Sequence, residues 1–121
     1  MNKIEIFGEL ALTIAKLSKD PVKKVGALIL RPDFSICSMG YNGFPKGYPD
    51  TVDEWKKSDI KNSIVKHAEE NAIEFSRDQN MSDYILIVTH YPCASCAGSI
   101  VQSGITKVFY IIHDNGFFII K

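Results

Sequence analysis

Apolar residues recur along the first part of the chain with a clear period. Ile4, Phe7, Leu10, Ala11, Ile14 and Leu17 fall three or four apart, the repeat that gathers side chains on one face of an amphipathic helix, so a helix is predicted over 4–17. Asp20-Pro21 stops it, because the residue before a proline is pushed out of helical backbone. Two short apolar runs follow, 25–30 and 35–39, joined by Arg31-Pro32-Asp33. A proline-containing turn between such runs predicts a β-hairpin. Over 40–59 glycine and proline cluster and charges then mix, with Trp55 as the large apolar anchor. That stretch predicts a long loop, and long loops inside small domains are more often functional than idle. Trp55 either closes over a site or pins the loop.

Helical spacing resumes over 63–76 through Ile64, Val65, Ala68, Ala72, Ile73 and Phe75. The continuous apolar run 84–88 predicts a strand buried on both faces. A short helix over 93–103 is closed by Gly104 as its C-terminal cap. A strand over 107–112 follows, and a short last one over 117–120. Strands 84–88 and 107–112 are linked by a helical crossover, which suits parallel pairing. The expected fold class is therefore α/β, with helices covering a mixed sheet. No repeat, low-complexity tract or linker divides the sequence, so 1–121 reads as a single domain.

Composition narrows the function classes. Hydrophobic residues at 45% and charged residues at 23% form an ordinary globular mixture and exclude a collagenous, coiled-coil or disordered chain. Fourteen Lys plus Arg balance fourteen Asp plus Glu, so no overall field favours a long polyanion. A small charged ligand in a local cationic pocket is expected, rather than nucleic acid. No apolar run approaches the roughly 18 residues that cross a bilayer, and the start MNKIEIFGEL carries acids where a secretory signal needs a basic end. A cytoplasmic protein without a membrane partner is expected. Three cysteines, two of them three apart, make a poor disulfide framework and point to metal or redox chemistry.

Two stretches carry that chemistry: His67-Ala68-Glu69 and Pro92-Cys93-Ala94-Ser95-Cys96, each near the start of a predicted helix. Cysteines three apart on a first helical turn share a face and can hold one ion. The positive helix end favours their thiolate form. Two thiolates and the neutral imidazole of His67 suit zinc and leave a fourth position for water, the composition of a catalytic site. Residues two apart on a helix point about 200° from each other, so Glu69 is badly placed to ligate beside His67. It is expected instead to reach the water, take its proton and pass it to the departing group.

His-x-Glu followed by Pro-Cys-x-x-Cys is a signature of zinc deaminases. On these residues the sequence resembles the cytidine deaminase superfamily, and within it the deoxycytidylate (dCMP) deaminases, over about 4–112. Ser18-Lys19-Asp20-Pro21 with Lys24-Val25-Gly26-Ala27, and Gly40-Tyr41-Asn42-Gly43-Phe44-Pro45 with Gly47, are similar to further stretches of that family, as is His67-Ala68-Glu69-Glu70-Asn71-Ala72-Ile73. The resemblance implies a three-layer α/β/α cytidine deaminase-like fold with a central mixed sheet. It also implies zinc-dependent hydrolysis of dCMP to dUMP and ammonia, supplying dUMP for thymidylate synthesis. Attack at pyrimidine C4 would make a tetrahedral centre, with Glu69 protonating N3 and then the leaving amine. By the same analogy Asn42 would hydrogen-bond the sugar, and backbone groups near Ala68 and from His90 to Pro92 would grip the base. Lys19, Lys23 and Lys46, each beside a motif, are the cationic candidates for the 5′ phosphate. The long loop has no cysteine or histidine, so one zinc per chain is expected where some relatives hold two. The family usually continues beyond the strand that matches 107–112, whereas this sequence ends about nine residues after Ile112. Family members commonly assemble, as hexamers in the dCMP branch, so a homohexamer is expected. Control by dCTP and dTTP occurs in part of the family, and no residue here stands out as their site.

Plainer readings stand beside these. Cys93 and Cys96 could form a redox pair or a structural zinc site, the latter taking its fourth ligand from Cys37, His90 or His113. Cys37 lies within an apolar strand and reads as a buried thiol. His90 could shape the rim of a site or simply end a strand, and His113-Asp114 could approach substrate or belong to a surface turn with Asn115-Gly116. Tyr110, Phe109, Phe117 and Phe118 read as core or subunit contacts. Rival functions are deamination of another cytosine or adenine nucleoside or base, tRNA adenosine included, and a non-catalytic zinc-stabilised binding module.

Overall fold

The Asn2 side chain accepts a hydrogen bond from the Glu5 amide at 2.9 Å and starts helix α1, Lys3–Ala15, the usual satisfaction of an orphan N–H at a helix start. In the computed structural model, which describes residues 2–49, 51–56, 65–114 and 117–120, α1 is shorter than the 4–17 expected. The amides of Lys16, Leu17 and Ser18 bond back to Thr13, Ile14 and Ala15, and this three-residue winding ends the helix. Leu17 thereby leaves the apolar face and is exposed. Ser18 turns inward and donates to the Asn42 carbonyl at 2.9 Å.

Strands β1, Gly26–Leu30, and β2, Ile36–Tyr41, form the expected antiparallel hairpin. Its turn is closed by Arg31 N–H to the Ser35 carbonyl at 2.8 Å, with Phe34 in left-handed backbone. A short helix α2, Val52–Lys56, lies within the stretch expected to be loop. Trp55 explains the difference: its indole is buried, with its ring 4.2 Å from that of Phe44, so it pins the segment. Helix α3, Ala68–Phe75, begins later than the 63–76 expected. Lys66 is engaged with Gly43 in an isolated antiparallel bridge, which holds the backbone before His67 extended. The 63–64 start itself lies outside the described residues. Strand β3, Ile85–Val88, helix α4, Ala94–Ser103, and strands β4, Lys107–Asp114, and β5, Phe117–Ile120, complete the order. Gly104 caps α4 at φ 99°, left-handed backbone that costs glycine least. The turn expected at Asn115-Gly116, and the side-chain roles expected of His113, Asp114, Phe117 and Phe118, fall outside the described positions.

Among the described residues five strands form one mixed sheet in the order β2-β1-β3-β4-β5, with β3 and β4 paired in parallel and the other neighbours antiparallel. β1 and β3 are buried throughout, as their unbroken apolar runs required. Alternation then sends side chains to two cores. Leu28, Leu30, Ile85 and Ile87 meet Ala11 and Ile14 of α1 on one face. Ala27, Ile29, Leu86 and Val88 meet Ala68 and Ala72 of α3 and Ile100 of α4 on the other. This is the three-layer α/β/α arrangement expected.

Candidate metal and active site

Strand register fixes where the site stands. Gly26 at the start of β1 pairs with Tyr41 at the end of β2, and Ala27 pairs with Val88 at the end of β3. The segments just beyond these residues therefore emerge at one edge of the sheet: Val25, Asn42 and Thr89-His90. Helices α3 and α4 have their N-termini at a common point beside it. Two side-chain-to-backbone hydrogen bonds hold α3 there. The Ser38 hydroxyl donates to the Ala72 carbonyl at 2.6 Å, and Nδ2 of Asn71 donates to the Tyr41 carbonyl at 2.8 Å.

His67 and Cys93 are the N-cap residues of α3 and α4, both with extended backbone. The Glu70 carboxylate accepts from the His67 N–H at 3.1 Å and fixes that cap. The Nδ1 of His67 stands 3.1 Å from the sulfur of Cys96 and 3.4 Å from that of Cys93. The three ligand-type atoms lie within 4.8 Å of one another. Zinc with sulfur ligands at about 2.3 Å in a tetrahedron needs sulfurs about 3.8 Å apart, so the spacing and the donor set both fit that metal. Among the described residues no other group of three or more such side chains is this close. Cys37 lies elsewhere: its half-buried thiol contacts the Ser76 hydroxyl at 3.1 Å and the Asp78 carboxylate at 3.6 Å.

The two thiols differ in environment. The Ser95 hydroxyl, 3.3 Å from its sulfur, is the main cause that lowers Cys93 to about 7. Burial, and after it the charge of Glu69, push Cys96 well above the ordinary thiol range. A buried thiol beside a carboxylate loses its proton only when a cation compensates, which again fits a divalent metal at this point.

Beside the triad lies a cavity of about 300 Å³, at the small end of ligand pockets. His67, Cys93 and the 4%-exposed Glu69 form part of its wall. Glu69 is buried at the helix start, and its carboxylate shares the cavity with the metal donors. Asn42, Ala68 and Lys23 also line it. Lys19 and Lys46 are exposed and do not. Pro92 lines an adjoining apolar groove with Ile100, Val101 and Tyr110. His90 is on the cavity wall, its ring nitrogen 2.8 Å from the Thr89 hydroxyl. Sequence reasoning gave no site role to three wall residues: Asp20, Val25 and Val65. Asp20 reads as a helix stop and as part of the family-like Ser18-Lys19-Asp20-Pro21 stretch, although Asp before Pro is also an Asx-turn signal. Val65 had been assigned to a helix. Tyr91, within the His90 to Pro92 segment expected to grip the base, spans the cavity and the groove and is 73% exposed.

Comparison with known proteins agrees with this geometry. The family model described as "Cytidine and deoxycytidylate deaminase zinc-binding region" matches residues 1–112. The chain is 40% identical over 114 residues to a probable deoxycytidylate deaminase of Caenorhabditis elegans, covering 92% of this chain and 58% of the relative. It is 37% identical over 119 residues to the deoxycytidylate deaminase of Homo sapiens, covering 92% and 67%. A crystal structure of dCMP deaminase from the cyanophage S-TIM5, in complex with dCMP and dUMP, superposes with a TM-score of 0.77 at 30% identity, over 91% of this chain and 82% of that one. The chain thus spans between about half and two thirds of the length of these curated relatives.

Proposed function

The chain belongs to the family of cytidine and deoxycytidylate deaminases with the zinc-binding region, and from that membership we propose that it hydrolyses dCMP to dUMP and ammonia. The observation that carries this reading is the clustering of the His67, Cys93 and Cys96 donors beside a cavity whose wall includes His67, Cys93 and the buried Glu69. His67, Cys93 and Cys96 would hold one zinc per chain. When bound, zinc supplies a Lewis acid that makes water nucleophilic near neutral pH.

Glu69 moves the protons. Its carboxylate accepts one from the attacking water and delivers it to pyrimidine N3; it then takes the proton of the new C4 hydroxyl and gives it to the amine, which leaves as ammonia as the C4 carbonyl forms. Burial helps, because a carboxylate held out of bulk water exchanges its proton with the substrate rather than with solvent. Asn42 takes the sugar, and backbone groups near Ala68 and from His90 to Pro92 grip the base edge. Of the three lysines considered for the 5′ phosphate, Lys23 lines the cavity, so the phosphate reading rests on it, with Lys19 and Lys46 outside the wall.

The same reading extends to residues 1–121 acting as one domain in the cytoplasm, to a homohexamer, and to dCTP and dTTP as effectors. Support for assembly is exposed apolar surface: Ile36, Met39 and Tyr41 on edge strand β2, and Val101 and Tyr91 near the apolar groove. Among the described residues no helix is long and apolar enough to cross a membrane. Light scattering tests the assembly, where a mass of one chain would contradict it. Kinetics with added dCTP and dTTP test the effectors.

The activity is tested by following ammonia release from zinc-loaded protein with dCMP, deoxycytidine, dCTP, CMP and adenosine, using Glu69→Ala as the blank. Turnover of dCMP alone is expected. Turnover of another member of the panel in its place would move the substrate class, and silence on all five would remove the proposal.

A further inference from the structure

One group on the cavity wall is used neither by the metal triad nor by proton transfer: the carboxylate of Asp20, 4% exposed. Its Oδ1 accepts from the amides of Val22 at 2.8 Å and Lys23 at 3.3 Å, an Asx turn that folds this segment along the wall. Its Oδ2 accepts from Nδ2 of Asn42 at 3.3 Å. The same Nδ2 donates to the Lys23 carbonyl at 2.9 Å, and Oδ1 of Asn42 accepts from the Val25 amide at 2.8 Å. Both amide hydrogens of Asn42 are therefore committed. Turning the amide over would set its NH2 against the Val25 N–H, and its oxygen against a carboxylate and a carbonyl. What the amide can still offer in the cavity is the second lone pair of Oδ1, an acceptor.

A cytosine deoxynucleotide carries two hydrogen-bond donors, the amine that leaves and the sugar hydroxyl. Its ring N3, O2 and phosphate oxygens accept. An Asn42 that can only accept pairs with a donor and not with N3, O2 or the phosphate, and with the amine at the metal centre the donor left for it is the sugar hydroxyl. We propose that Asp20 is a positioning residue that locks the Asn42 amide in this acceptor state and so sets selectivity for a substrate with a sugar hydroxyl. The inference rests on the dCMP reading above. Asp20 acts through Asn42, and the same carboxylate, through the turn, holds the Lys23 carbonyl against the amide.

The test is steady-state kinetics of zinc-loaded wild type and Asp20→Asn on dCMP and on 2′,3′-dideoxycytidine monophosphate, with melting temperature and zinc content measured beside them. Asn at position 20 keeps an oxygen for the turn but sets an NH2 against that of Asn42. For wild type a preference of about tenfold in kcat/KM for dCMP is expected, the scale of one hydrogen bond. In Asp20→Asn, KM for dCMP should rise about tenfold with kcat nearly unchanged, because binding common to ground and transition states is lost. The constants for the dideoxy analogue should stay within about twofold, so that the preference collapses. In an Asn42→Ala background Asp20→Asn should no longer alter the preference. If Asp20→Asn melts far below wild type, Asp20→Ser, whose hydroxyl can still accept a turn amide, reads the same ratio. Equal losses on both nucleotides, or an unchanged preference, would overturn the positioning role while leaving the dCMP reading intact. A wild type silent on both would overturn the two together.

Discussion

Gly40 sits where β2 passes under α3, and the structure sets the cost of filling that space. A Cβ at Gly40 would lie 2.5 Å from the Ala72 backbone nitrogen, 2.6 Å from the Ala68 carbonyl oxygen and 3.0 Å from the Asn71 carbonyl carbon. All three atoms belong to the backbone of α3, so no side chain can swing away. Relieving a contact of 2.5 Å to an ordinary separation of about 3.4 Å needs a shift of nearly 1 Å between strand and helix, an overpacking strain on the order of 1–3 kcal/mol. For a domain of this size that corresponds to roughly 5–20 °C in melting temperature. Function should suffer more than stability. α3 begins at His67 and carries Glu69 in its first turn, and misplacing a catalytic group by about 1 Å can cost on the order of a hundredfold in rate. Gly40→Ala is thus expected to fold, to melt lower, and to lose most of its dCMP turnover. Thermal melting and ammonia release measured on one preparation check both. A variant that melts within a degree or two of wild type with full activity would refute the claim that this close approach positions the site.

Asp78 is held below the ordinary carboxylate range first by its hydrogen bond from Arg31, at 2.8 Å, and then by the Tyr84 hydroxyl. A depressed folded-state value stabilises above the unfolded value near 3.8 and is lost as pH falls through the lower one. Melting temperature should therefore fall as pH drops below about 4, and less steeply in Asp78→Asn, leaving a residual slope from Asp33, which Ser35 depresses in the same sense; equal slopes would contradict the pairing. Gly104→Ala should cost about 1 kcal/mol, since φ is 99° there and a Cβ would approach the Ser82 nitrogen at 3.1 Å; an unchanged denaturation midpoint would argue against that cap geometry. Chelation of zinc should abolish turnover and lower the melting temperature by on the order of 20 °C, a ligand held at a thousand times its Kd being worth about 4 kcal/mol. Added zinc should restore both, and a chelated protein with full activity would exclude the metal.

What could be read in the sequence divides along physical lines. β1 and β3 were legible because strands buried on both faces have unbroken apolar runs. α1 was legible because one face must be apolar. The metal donors were legible because three soft ligands at fixed spacing have few other uses. The start of α3 was not, because Val65 continues a helical period that the Gly43–Lys66 bridge overrides, a tertiary contact invisible to local pattern. α2 was hidden for the same reason: Trp55 finds its partner in Phe44, eleven positions earlier. Asp20 reads locally as a stop signal, and its position on the cavity wall depends on Asn42 folding back across the sheet edge to meet it.

Whether Glu69 moves protons for a metal held by His67, Cys93 and Cys96 is tested by measuring zinc content and dCMP turnover together in Glu69→Gln. About one zinc per chain, an unchanged melting profile and a rate lower by a factor on the order of 10²–10⁴ are expected. A variant that binds zinc, folds, and deaminates dCMP at close to the wild-type rate would contradict that role.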